Sequence, residues 1–186
     1  MAPVRGRSAL FAVAVVGLVV AVAGCSDDET AEPAEVDAPD SITVTSEAFD
    51  DGGTVPERFT CDGDEVSPPL AWDGVPDDAA ALALVVDDPD APGGTYTHWV
   101  VLDVPPGVTS VDEGGVPDGG VEVENSSGDA SYAGPCPPSG THHYRFMVYA
   151  LSEETGLDPG AALDDALRAI EEAATAQGRL TATYSR

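Results

Sequence analysis

The sequence predicts a mainly β domain with one late helix, preceded by a segment of different character. Three observations carry this. Ala81-Leu82-Ala83-Leu84-Val85-Val86 is a continuous apolar run with the length of a buried strand. Tyr144-Arg145-Phe146-Met147-Val148-Tyr149-Ala150-Leu151 is the strongest strand signal in the chain. A clear apolar stripe at helical spacing appears only between Asp158 and Gly178.

The chain has 186 residues, one sizeable core plus appendages. Its 34 acidic residues stand against 7 basic ones, all of them Arg, for a net charge of −27. Arg5 and Arg7 lie in the first segment and no Asp or Glu precedes Asp27, so losing that segment takes the charge from −27 to −29. A surface this acidic repels phosphate backbones and anionic headgroups at long range, which argues against nucleic acid as a partner. An anion bound here needs a local pocket.

After Arg5 and Arg7 comes an apolar stretch of about fifteen residues, ending in Val22-Ala23-Gly24-Cys25. That is short for a membrane span and suits the apolar region of a signal peptide. Val-Ala-Gly-Cys resembles the bacterial lipobox, so residues 1–24 are read as a lipoprotein signal peptide and Cys25 as the acylated residue. From Ser26 to Asp40 almost nothing is apolar, and Asp, Glu, Ala, Pro and Thr dominate. Such a segment cannot offset its ordering entropy by burial, so residues 25–40 are read as a disordered acidic tether. The expected location is the extracytoplasmic face of the cell membrane, with a folded domain over 41–186.

Ile42-Thr43-Val44-Thr45 alternates as a half-exposed strand does. The stretch from Phe59 to Trp72 has loop chemistry, its paired Pro68-Pro69 holding the chain extended, with Trp72 as a core plug. Strands follow over 81–86 and 99–104, the second stopped by Pro105-Pro106-Gly107. Residues 112–120 are Gly-rich and turn-like, and 120–124 alternate briefly. Asn125-Ser126-Ser127 is a loop and a formal N-x-Ser sequon, given no weight. In the strand over 144–151, period two places His142, Tyr144, Phe146 and Val148 on one face. Asp158 is expected to cap the helix with Pro159 at its first position. Leu163, Ala166, Leu167, Ile170 and Ala174 form its stripe, and Gly178 its stop. Residues 180–184 read as a last strand.

Between the strands over 81–86 and 99–104 runs Asp87-Asp88-Pro89-Asp90-Ala91-Pro92, leading to His98-Trp99. Carboxylates at one strand end and an imidazole at the start of the next are how a rigid sheet displays a polar site on its rim. The later segment Gly134-Pro135-Cys136-Pro137-Pro138-Ser139-Gly140-Thr141-His142-His143-Tyr144 looks built to complete it. Without Lys or Arg, such a pocket would hold an anion through backbone N–H groups near Gly134 and Gly140, the Tyr144 hydroxyl and imidazole N–H groups. Asp88 beside His98 or His142 would fix the ring's tautomer and favour its charged form, giving an anion affinity that rises as pH falls.

Together these two motifs, with Phe59-x-Cys61-Asp62-Gly63, Ser67-Pro68-Pro69-Leu70-x-Trp72 and the ending Thr183-Tyr184-Ser185-Arg186, resemble the phosphatidylethanolamine-binding protein family. The likeness is to its bacterial Raf-kinase-inhibitor-like branch, and it runs from about Ser41 to the end of the chain. The resemblance implies a large antiparallel sheet packed on a smaller one, with a shallow anion pocket at one end. It assigns ligand binding to Asp88, Asp90, Pro92, His98, Gly134, His142 and Tyr144. One departure is His143, where many members have Arg, which removes a fixed positive charge near the pocket. A second is the acylated acidic tether.

Other chemistries are weaker. Three histidines and nearby carboxylates have the right types for zinc, but His142 and His143 point oppositely on a strand and no H-x-H or HExxH spacing exists, so no metal or cofactor is expected. Ser139 lacks a nucleophile elbow, so no enzymatic activity is expected. Cys61 and Cys136 remain once Cys25 is acylated, and outside a membrane such a pair commonly bridges, although cytoplasmic members of the branch keep similar cysteines as thiols. The expected partners are a small anion or phospholipid headgroup, and the membrane through the lipid anchor. A protein partner such as an envelope protease or kinase is the alternative.

Overall fold

The structure is a computed structural model that describes residues 1–2 and 37–186. Most of the expected signal peptide and tether, Cys25 included, lies outside the described residues.

Among the described residues, eight strands make two antiparallel sheets, accompanied by one α-helix. β1 (Thr43–Thr45), β2 (Leu70–Asp73) and β5 (Ser110–Val111) form the smaller, in the order β1-β2-β5. The larger has β3 (Ala81–Asp88), β4 (Tyr96–Val104), β6 (Val121–Glu122), β7 (Thr141–Leu151) and β8 (Ala174–Ser185), in the order β6-β4-β3-β7-β8. The expected two-sheet architecture with a late helix, α1 (Leu163–Ala173), is what the chain adopts.

β3 is the centre of the large sheet and buried along its whole length, which is why it reads as an unbroken apolar run. Leu82, Leu84 and Val86 face the small sheet together with Trp99, Tyr144 and Phe146, and pack in one cluster with Trp72 of β2. Ala81, Ala83 and Val85 face α1, meeting Ala166, Ile170 and Ala173. The small sheet, the large sheet and the helix are therefore three layers, with the main core between the sheets. Trp72 fills that core from β2, 4% exposed, its indole N–H donating to the Val108 carbonyl at 2.8 Å.

Several boundaries differ from the sequence reading. Residues 70–73 are a strand rather than loop, because β2 pairs with both β1 and β5. The helix starts at Leu163 instead of after Asp158. Asp158-Pro159-Gly160 is a turn closed by the Ala161 N–H on the Asp158 carbonyl, with Gly160 at φ 74°. Gly178 is a strand residue of β8, since α1 runs straight into β8 at Ala174. Its absent side chain has a packing reason: a Cβ there would lie 2.0 Å from the Ile42 carbonyl oxygen. The chain also docks slightly before Ser41, because Gln177 of β8 donates from Nε2 to the Ala38 carbonyl and from its backbone to Pro39.

Candidate functional site

The site forms where β3, β4 and β7 end together. β3 and β7 pair in regular antiparallel register, Val86 opposite Phe146 and Asp87 opposite Arg145. The next residue, Asp88, therefore shares the small-sheet face with Tyr144 and reaches diagonally to His142. His142 Nδ1–H donates to Asp88 Oδ2 at 2.7 Å, and the two side chains are only 9% and 5% exposed. Asp88 Oδ1 accepts the Asp90 N–H at 2.8 Å, which folds the Pro/Gly loop back over the strand end. The tautomer of His142 is thereby fixed, leaving Nε2 for a ligand.

His98 reaches the same face by an irregularity that period two does not foresee. Val86 pairs with Trp99 and Asp87 with Thr97, so β4 carries one extra residue, His98, at a bulge. Regular alternation would have sent His98 toward the helix with Val100 and Leu102. The bulge turns it to the side of Trp99 and Tyr144, its ring edge-on to Tyr144 at 5.4 Å and tilted against Tyr96 at 4.8 Å. Its Nδ1–H donates to the Ala133 carbonyl at 2.8 Å. Burial holds this imidazole below the usual histidine range, partly offset by its bond to Ala133 and by the charges of Asp88 and Glu65. At neutral pH the ring is neutral and presents Nε2 as an acceptor.

The loop that supplies Ala133 is built around Asn125. Its Oδ1 accepts the N–H groups of Ser127 and Asp129, and its Nδ2 donates to the Ser131 carbonyl. Asn125 is 3% exposed and fully engaged, so the sequon is a buried loop organiser. Asn125→Ala strands these groups and should cost about 1–3 kcal/mol in a urea melt, with the far-UV spectrum unchanged.

Gly134 follows, and only glycine fits: a Cβ would lie 2.9 Å from the Phe59 carbonyl oxygen and the Thr60 backbone. This close approach, the Cys61 N–H on the Pro135 carbonyl, and the Cys61–Cys136 disulfide clamp the two loops into one wall. Arg186 lies behind that wall, ion-paired with Asp62 and donating to Cys136 Sγ.

A cavity of about 370 Å³ opens between these elements. Of the expected ligand-binding residues, Asp88, Pro92, His98, Gly134 and His142 line it. Tyr144 lies beneath them and is wholly buried; its hydroxyl makes no hydrogen bond of good geometry, although the Asp88 carboxylate and Cys136 backbone stand near enough to act on it. Burial first, then Asp88, pushes this phenol's pKa up, so it remains a protonated donor. Asp90 is outside the pocket. Its Oδ2 accepts both the backbone and the ring N–H of His143, bonds that lower its pKa and strap the loop to β7. The pocket also takes in Glu65, Tyr96 and the disulfide, which the sequence reading did not place there. For Tyr96 a signal existed, since it stands two residues before His98 in the same motif; for Glu65 there was none. Among the described residues no three His, Cys, Asp or Glu side chains gather as a metal site.

A two-sheet antiparallel β domain with a rim pocket floored by histidine and carboxylate is the class this geometry defines. The family model described as phosphatidylethanolamine-binding protein matches residues 45–185, and the chain belongs to that family. It is 47% identical to a UPF0098 protein of Methanothermobacter thermautotrophicus over 78% of this chain and 99% of that one. It is 45% identical to LppC, a candidate lipoprotein of Mycobacterium tuberculosis, over 94% of each chain. Among solved structures it resembles YbcL of E. coli, described as a member of the mammalian family, with TM-score 0.73, 31% identity and coverage of 78% and 99%. A Chlamydia trachomatis homologue of the family matches with TM-score 0.74 and 34% identity over 79% of this chain and 99% of its own.

Proposed function

We propose that this is an exported, lipid-anchored binding protein whose rim pocket holds a small anion or phosphorylated headgroup without turning it over. The observation that carries the reading is the buried Asp88–His142 pair, which fixes one imidazole with Nε2 left for a ligand. The second imidazole, His98, and Gly134 line the same cavity, which is of small-ligand size. Binding rather than catalysis is supported by how the reactive groups are used. Both pocket cysteines are joined to each other, and His98 is oriented by a backbone carbonyl rather than by a carboxylate. Export and anchoring are supported by the lipobox-like sequence at Cys25 and by the likeness to LppC, which covers more of the chain than the family model does.

Calorimetric titration with phosphate and with phosphoethanolamine, at pH 7 and pH 5, tests the reading. Saturable binding is expected, lost in His142→Ala. The pH trend follows from His98. Its protonation is delayed below the ordinary value of about 6.5, and an anion favours the protonated ring, so affinity should rise as pH falls. Stability of the free protein should move the other way: the unfolded chain takes up that proton first, so stability drops as pH falls below about 6.5. Absence of heat at both pH values would dismiss the pocket as a binding site.

A further inference from the structure

We propose that Glu65 is a tethered competitor for the anion subsite, a specificity-determining side chain that weakens the hold on inorganic phosphate and other highly charged anions. This rests on the reading of the pocket as an anion site. Glu65 sits on the loop between the 3-10 turn at Glu57–Phe59 and β2, exposed at the rim, and lines the cavity.

Its backbone is unusual. Among the described residues only Glu65 and Asp103 have positive φ without being glycine, at 56° and 55°. A left-handed backbone is unfavourable for a side chain with a Cβ and persists where the surroundings demand it. For Asp103 the demand is visible: its carboxylate accepts from the Thr155 N–H, the Thr155 hydroxyl and the Gly156 N–H, at 2.7–3.0 Å. Glu65 has no such set. Its single hydrogen bond is a long one, 3.4 Å, from the Gly134 N–H to Oε1. Gly134 itself lines the cavity, so this bond is made at the pocket wall. The carboxylate's charge also reaches His98. A strained backbone that brings a carboxylate to a cavity-lining glycine, by a bond too long to be a good structural cap, puts a like charge in the anion's pocket.

A bound anion must therefore displace Glu65 from Gly134 and tolerate its charge, so a more highly charged anion is disfavoured more strongly. The test is calorimetric titration of inorganic phosphate into the wild-type protein, Glu65→Gln, Glu65→Gly and the double variant Glu65→Gln/His142→Ala, all at one pH. Neutralising one like charge in a partly solvated pocket should tighten phosphate binding about tenfold. Both single variants should show the gain, since glycine also suits the left-handed backbone. The double variant should lose it, placing the gain in this pocket. Equal affinity of wild type and Glu65→Gln overturns the inference and leaves the pocket reading intact. A gain in Glu65→Gly alone also overturns it, because space and not charge would then be the cause. A gain that survives His142→Ala overturns it by placing the anion elsewhere. No binding by any of the four proteins overturns the pocket reading and this inference with it.

Discussion

Replacing Cys61 and Cys136 together by serine is expected to lower folding stability by about 4–5 kcal/mol, about a third or more of what a domain commonly has. The bridge spans 75 residues, and the entropy it removes from the unfolded chain grows with the logarithm of that loop. The bridge also closes the loop that contains β2 through β6, including the central strand pair of the large sheet. Urea melts of the oxidised wild type and the double variant should show the midpoint fall. Reducing the wild type should reproduce it. The local consequence concerns the pocket. Both cysteines line the cavity, and the wall they join carries Gly134 pressed onto the Phe59–Thr60 backbone. A serine pair keeps the backbone contacts but frees the wall to part, so phosphate affinity should weaken even where the variant is fully folded. Identical melts before and after reduction would show that the bridge contributes nothing to folding.

What could be read from the sequence is what repeats along it. The continuous run of β3 and the alternation of β7 announced two strands and placed His142 with Tyr144 and Phe146 on one face, because those patterns are set by burial and period. The features left open depend on register and on residues distant in sequence. Whether Asp88 would take His98 or His142 turned on the bulge at His98, which no alternation pattern reveals. The helix start was misread for a similar reason. Asp158-Pro159 has good capping chemistry, but the segment before α1 is held elsewhere: Asp103 binds Thr155 and Gly156, Glu122 O accepts the Gly160 N–H, and the Glu124 N–H bonds Ala161 O. These long-range bonds delay helical geometry to Leu163, where Asp164 and Asp165 favour the positive helix end. Gly178 looked like a helix stop and is a strand residue because Ile42, far away in sequence, crosses over it. Glu65 enters the pocket from another loop altogether.

Arg145→Met is expected to cost about 3–5 kcal/mol, because it leaves the Asp87 carboxylate charged and buried. Asp87 and Asp88 are neighbours on opposite faces of β3, and only Asp88 serves the pocket. The Asp87 side chain is wholly buried and receives both Nε–H and Nη2–H of Arg145, at 2.7 and 2.6 Å, directly across the β3–β7 pair. Burial already raises the pKa of Asp87, while Arg145 and, more weakly, Arg179 pull it down. Without Arg145 it rises further. A folded-state pKa above the unfolded value means that the native state binds the proton more readily, so the variant should regain stability as pH falls through the raised value. The gap between wild type and Arg145→Met should therefore be widest near neutral pH and narrow toward pH 4. Urea melts across that range measure it. Asp87→Asn/Arg145→Met removes the charge as well as its partner and should recover much of the loss, since a buried pair replaced by neutral groups is often close to neutral in stability. A gap independent of pH, with no recovery in the double variant, would mean that Arg145 acts by packing alone. The pair matters to the pocket because it sits one residue from Asp88 at the open end of the sheet, where a register slip would turn Asp88 away from His142.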